Sequence, residues 1–212
     1  MSSRSLTTTS YAILGLLEIQ PWSTYELAQL MRRSLHFVWP RAESNLYAEP
    51  KRLMEAGLAS AEVVWNGDRK RTVYSITAAG TAALRDWLAE EPAPQRLESE
   101  SALRLMYGNS GTKENLLAAI ERIAKDADEA IRHFSELGDE YVRGVGRFPD
   151  RIHVNALILT LMVEQARASA RWARWASTEV EEWKTTTSPD VDWSARAMRR
   201  VIDGEPPFSD AT

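Results

Sequence analysis

Between Leu116 and Tyr141 the apolar residues Leu116, Ile120, Ile123, Ala127, Ala130, Phe134, Leu137 and Tyr141 recur at steps of 4, 3, 4, 3, 4, 3 and 4. This alternation keeps one apolar stripe along a helix for more than three heptads, and a stripe of that kind must be covered by another helix. Gly144, Gly146 and Pro149 end the run. A second long amphipathic segment, Arg151 to Lys184, carries Val154, Leu157, Ile158, Leu161, Ala168, Trp172, Trp175, Val180 and Trp183. The spacing predicts two long antiparallel helices in this half of the chain.

The first half has a different rhythm. Thr7 to Ser10 offer helix caps before Tyr11-Ala12-Ile13-Leu14-Gly15-Leu16-Leu17, which reads as a buried helix closed by Pro21. Ser23 or Thr24 caps a second helix with Tyr25, Leu27, Leu30 and Met31 on its apolar side and Arg32 and Arg33 at its end. A third is predicted from about Glu43 to Ala56, ended by Gly57. The period then changes to that of strands. Glu62-Val63-Val64-Trp65 and Thr72-Val73-Tyr74-Ser75-Ile76, joined through Asn66-Gly67-Asp68, predict a β-hairpin. A fourth helix with Leu84, Trp87 and Leu88 stops at Pro92.

The expected fold class is mainly α with a small β-hairpin, a winged helix-turn-helix followed by a long-helix domain. Its expected boundaries are 1–92 for the winged helix and 97–184 for the helical dimerisation and effector domain. A tail over 185–212 carries a short helix around Trp193 to Ile202. With eight Trp and no Cys in 212 residues, disulfides, thiolate nucleophiles and Cys-bound metals are excluded, and a reducing cytoplasm is the expected compartment. Residues 1–10 are Ser/Thr-rich and the apolar run after them is broken by Glu18, Gln20 and Pro21, so neither a signal peptide nor a membrane span is expected.

Charge is unevenly placed. The whole chain has net charge −4. Residues 1–80 hold nine Lys or Arg against seven Asp or Glu, and residues 93–212 hold 16 against 20. A polyanion would therefore meet the first segment. In a winged helix the third helix enters the major groove and the hairpin touches the flanking backbone. Arg69-Lys70-Arg71, three adjacent cations at the expected hairpin tip, repel one another, and a phosphate backbone relieves them. On the third helix, Arg41, Ser44, Asn45, Tyr47, Lys51 and Arg52 can donate to phosphates and base edges, while Glu43 and Glu49 oppose them. Pro50 means that this helix either starts late, near Tyr47, or bends there.

These residues resemble the PadR family, the phenolic-acid-decarboxylase repressors. The resemblance lies in Ala12-Ile13-Leu14-Gly15-Leu16-Leu17, Pro21, Tyr25-Glu26-Leu27, Asn45-Leu46-Tyr47, Lys51-Arg52-Leu53, Gly57-Leu58, Arg71, Tyr74, Ile76-Thr77 and Ala79-Gly80-Thr81-Ala82-Ala83-Leu84. Leu103-Arg104-Leu105 and Ala166 to Trp172 are similar to the C-terminal helical dimerisation domain of its longer members. The chain departs from the family pattern at Thr24, where Gly is usual, and at Ala48, where a Pro usually follows the Tyr.

The resemblance implies a ligand-responsive, homodimeric transcriptional repressor of its own or neighbouring genes. The expected partners are a double-stranded DNA operator of two-fold symmetry and a small aromatic effector, with no membrane and no cofactor. Expected DNA contacts are Arg41, Ser44, Asn45, Tyr47, Lys51, Arg69, Lys70 and Arg71. Leu116, Ile120, Ile123, Phe134, Leu137 and Trp172 are the expected dimerisation residues. Trp172, Trp175 and Trp183, at helical spacing, read first as packing, and the family's response to small molecules adds Trp172 and Trp175 as stacking residues for a planar effector. No catalytic or metal site is expected. His36, His133 and His153 are scattered, Glu129 and His133 share a helix face without a third ligand, and no G-x-S-x-G, P-loop or dinucleotide fingerprint occurs. Two rival readings are a winged helix that binds only protein, and a helical small-molecule carrier or enzyme.

Overall fold

The computed structural model describes residues 6–35, 37–39, 47–66, 69–187 and 191–204. The chain divides into two compact units, Met1–Gln95 and Arg96–Thr212.

In the first unit, Thr7 starts α1 (Thr8–Ile19) through a reciprocal cap with Ser10. The Ser10 amide donates to Thr7 Oγ1 at 3.2 Å and the Thr7 amide to Ser10 Oγ at 2.9 Å, which satisfies helix-end donors that would otherwise face no acceptor. Ile13, Leu14 and Leu17 of α1 join Leu27, Met31 and Leu53 in the core. Ser23 and Glu26 form the same device at the start of α2 (Thr24–Leu30), which runs on into one π-helical turn, Met31–Leu35.

The third helix is shorter than its sequence pattern suggests. Tyr47 and Ala48 form a turn, and α3 spans Glu49–Glu55. Pro50 therefore stands in the first turn, where a backbone N–H has no intrahelical acceptor to lose, and the late start rather than a bend accommodates it. Gly57 closes α3 with φ of +76°, a left-handed conformation that suits glycine. The Leu58 amide then returns to the Leu53 carbonyl at 2.9 Å.

A three-stranded antiparallel sheet in the order β1–β3–β2 follows, made of β1 (Trp22–Ser23), β2 (Ala59–Asn66) and β3 (Arg69–Ile76). The β1 strand has no counterpart in the sequence reading. Two residues are too short to show alternation, and only the pairs Trp22 with Tyr74 and Ser23 with Val73 define them. Pairing of β2 with β3 runs from Ala59–Ile76 out to Asn66–Arg69. Arg69, Lys70 and Arg71 are the first three residues of β3, Arg69 standing in the outermost pair of the ladder, so the three cations lie at the tip end of the ribbon. α4 (Ala78–Ala89) is capped by Thr77, and its Trp87 stacks on Tyr11 of α1 at 4.8 Å and 5°. At Gly80 a Cβ would lie 2.1 Å from the Leu58 carbonyl oxygen, so α4 can approach the Leu58 backbone only through glycine. Three helices followed by a two-stranded wing make this unit a winged helix.

The second unit contains α5 (Glu100–Met106), α6 (Lys113–Val142), α7 (Ile152–Glu182) and α8 (Val191–Asp203). α6 and α7 are antiparallel. Leu116 and Ile120 near the start of α6 pack with Ala173, Ala176 and Val180 near the end of α7. At the other end Asn155 Nδ2 donates to Tyr141 Oη at 2.7 Å. The buried row of α7 is Ala166, Ala170, Ala173, Ala176 and Val180, small residues that let the helix axes approach the larger Leu116, Ile120 and Phe134 of α6. Val154, Leu157, Ile158, Leu161 and Ala168, expected on the apolar face of α7, are instead exposed. The mostly alanine row wins the interior because it admits closer packing. No helix among the described residues is long and apolar enough to cross a membrane.

Candidate nucleic-acid interface and ligand pocket

The exposed end of α3 is held in place by a buried acid. Glu49, 2% exposed, accepts from Ser10 Oγ at 2.5 Å and pairs with Arg52 at 3.1 Å. Its carboxylate therefore ties α3 to α1. Contrary to the sequence expectation, Glu49 does not oppose a phosphate on the surface, since its charge is turned inward and already paired. Tyr47, immediately before α3, is 64% exposed. Lys51 lies one turn on, its ammonium 3.8 Å from Glu55, a solvated i,i+4 pair that a stronger anion can displace. Arg41, Ser44 and Asn45 lie outside the described residues, as does Glu43.

On the wing, strand alternation places Lys70 and Arg71 on opposite faces of the ribbon. Lys70 is exposed. Arg71 reaches Glu26 Oε1 at 3.4 Å, and the other oxygen of that carboxylate accepts from the Ser23 amide and hydroxyl at 2.8 and 2.7 Å. A single side chain thus caps α2 and ties the wing to it. This double role was half legible: Ser23-x-x-Glu26 is a capping-box spacing, but the wing contact comes from a residue 45 positions away. The side chain of Arg69 lies outside the described residues. Trp65, paired with Lys70, is 65% exposed.

The second unit holds a cavity of about 380 Å³, within the usual range for a small-molecule site. Trp172 and Trp175 of α7 line it, joined by Trp183 and by Trp193 of α8. Trp193 lies parallel to Trp175 at 6.5 Å and edge-on to Trp183 at 5.0 Å. Its indole Nε1 donates to Glu179 Oε2. Trp172, Trp175 and Glu179 of α7 and Trp183 directly after it follow one another at steps of 3, 4 and 4, so their common side is written in the sequence. Trp193 comes from another helix and has no such signal.

Residues 13–86 match the family model described as "Transcriptional regulator PadR-like family". This match lies within the first unit. Over 99 residues the chain is 29% identical to "Negative transcriptional regulator PadR" of Bacillus subtilis (strain 168), covering 46% of this chain and 54% of that one. The chain spans about half the length of the curated relatives it matches. Crystal structures of Bacillus subtilis PadR share the fold. The complex with operator DNA has a TM-score of 0.66 at 23% identity, over 82% of this chain and 99% of that one. The complex with p-coumaric acid has 0.62 at 21%, over 84% and 100%.

Of the residues expected to contact DNA, the first unit places Tyr47, Lys51, Lys70 and Arg71 on described, exposed positions. Among those expected to join two copies, Leu116, Ile120 and Phe134 are buried within one chain, and Ile123 and Leu137 are half-buried. The seam of α6 is filled largely by α7 of the same chain, and Trp172 lines the cavity. Among the described residues no three His, Asp or Glu side chains gather as a metal site.

Proposed function

We propose that this protein is a homodimeric, DNA-binding transcriptional repressor of its own or neighbouring genes, released by a small molecule that enters the tryptophan-lined cavity. The observation that carries the reading is the PadR-like domain at residues 13–86 with Tyr47 and Lys51 exposed at the amino end of a firmly anchored α3. The operator complex of the Bacillus subtilis relative supports DNA as the partner, and its p-coumaric acid complex supports a small aromatic effector. Tyr47 and Lys51, together with Arg41, Ser44 and Asn45, supply the major-groove contacts, and Arg69, Lys70 and Arg71 hold the flanking backbone. The reading is of a regulator and not an enzyme, as the family model and the relative are both named for regulation. A reducing cytoplasm suits it.

The dimer forms through α7. Val154, Leu157, Ile158 and Leu161 lie at i, i+3, i+4 and i+7, a single stripe, and all four are exposed, Leu157 at 73%. A helix face this apolar is better covered by a second copy than left in water. The same helix carries Trp172 and Trp175 at its other half, so a ligand that shifts α7 alters the dimer that sets the spacing of two reading helices. Such a ligand must bind one spacing more tightly than the other.

A mobility-shift assay of the full chain against its own upstream DNA, repeated over a salt series, tests the reading. Affinity should fall steeply with salt, because bound Lys and Arg release counterions from the phosphates. Salt-independent binding, or none, overturns it.

A further inference from the structure

The cavity in the second unit has an unusual distribution of charge. Its walls are mostly apolar and aromatic, with four indoles and the neutral polar side chains of Asn109 and Thr186, and among the described residues Glu179 is the one ionisable side chain on them. No described Lys, Arg or His lines it. Lys113, at the start of α6, turns its ammonium to the carbonyl oxygens of Glu181 and Trp183, the latter at 3.1 Å, and is spent on the end of α7. Glu179 is held in place by the Trp193 indole N–H, a neutral donor that brings no cation to the carboxylate.

We propose that this cavity selects an organic cation with a planar apolar body, and that Glu179 is its counter-charge. The inference rests on the reading of the cavity as an effector site and adds the ligand's chemical class. Each indole presents a ring face that is electrostatically negative, and tryptophan is the strongest of the aromatic side chains in attracting a cation. A carboxylate among such faces builds a field of one sign. A bound cation finds both a flat wall to lie on and a charge to meet. A bound carboxylate finds neither, since it would be desolvated beside Glu179 with no lining cation to pair with it. Rejection of anions is therefore as much a property of the cavity as acceptance of cations. A neutral planar compound stacks without either effect and falls between the two.

The test uses one aromatic body with three charges: a naphthylmethyl trimethylammonium ion, naphthalenemethanol and naphthoate, titrated calorimetrically into the full-length protein and into Glu179→Gln. The amide oxygen of the substituted side chain can still accept from the Trp193 indole, so the box is preserved, and circular dichroism checks the fold. The wild type should bind the cation about tenfold more tightly than the alcohol and naphthoate most weakly. Glu179→Gln should lose the cation's advantage while leaving the alcohol unchanged. If the alcohol binds but the cation is no better, or if Glu179→Gln leaves the cation's affinity intact, the charge assignment is wrong and the effector site stands. If naphthoate binds best, the cavity selects anions and the assignment is again wrong. If none of the three binds the wild type, the cavity is packing and the effector reading falls together with this one.

Discussion

The contact between Ser10 and Glu49 makes the position of α3 measurable. Ser10 is fully buried and Glu49 nearly so, with 2.5 Å between hydroxyl and carboxylate. Ser10→Ala removes one hydrogen bond from a buried carboxylate, worth about 1.5 to 3 kcal/mol for a charged acceptor, and leaves the Thr7 amide, at the exposed start of α1, to turn to water. Glu49→Ala takes the carboxylate from the Ser10 hydroxyl, which keeps Thr7 Oγ1 at 3.0 Å as a second partner, so this loss costs roughly 1 kcal/mol, and it opens a small cavity at a further cost of about 1 kcal/mol. Arg52, 37% exposed, can return its charge to water, so the loss of its pair adds little and Glu49→Ala should cost about 2 kcal/mol in all. The double variant removes the contact from both sides, and of the backbone amides only that of Thr7 loses an acceptor. Its cost should fall short of the sum of the single ones by about 1 to 2 kcal/mol. Urea unfolding of all four proteins gives these values, and a shared slope shows that the same transition is being compared. Additivity within about 0.5 kcal/mol would refute the coupling. Because this contact joins the proposed reading helix to α1, Glu49→Gln should also weaken operator binding under conditions in which the protein stays folded.

Replacing Arg69, Lys70 and Arg71 together with Ala should weaken binding to all DNA sequences alike and flatten the salt slope, with unchanged affinity removing the wing from the mechanism. Sedimentation should give about 48 kDa, twice the 23.9 kDa chain. Leu157→Asp with Leu161→Asp should give a folded species of half that mass, whereas Phe134→Asp, buried within the chain, should unfold the helical unit at a cost of several kcal/mol; a folded dimer in the first case would place the interface elsewhere. Trp172→Phe and Trp175→Phe should weaken compounds that release the protein from DNA, and unchanged binding in both would make these indoles packing. Gly80→Ala should lower the melting temperature sharply, because its Cβ meets the Leu58 carbonyl oxygen at 2.1 Å and backbone must move.

Local chemistry set much of this protein. Caps at Thr7, Ser23, Thr77 and Thr112 start helices wherever the chain runs, since a hydroxyl and a nearby backbone amide need no tertiary partner. The wing is likewise written in β-branched and aromatic residues, and the α6 stripe in its 4, 3 steps. What those steps cannot say is which helix covers the stripe. Periodicity fixes a face but not its neighbour, so the seam expected to join two copies is covered largely by α7 of the same chain, and the larger apolar residues of α7 are left outside. The same limit hid the inward turn of Glu49, because a carboxylate beside Lys51 and Arg52 reads as surface until Ser10, 39 positions away, is seen to reach it. Trp193 shows it again. Three of the four tryptophans around the cavity share a side that the sequence displays, but the fourth arrives on α8, and only the packing of separate helices brings all four around Glu179.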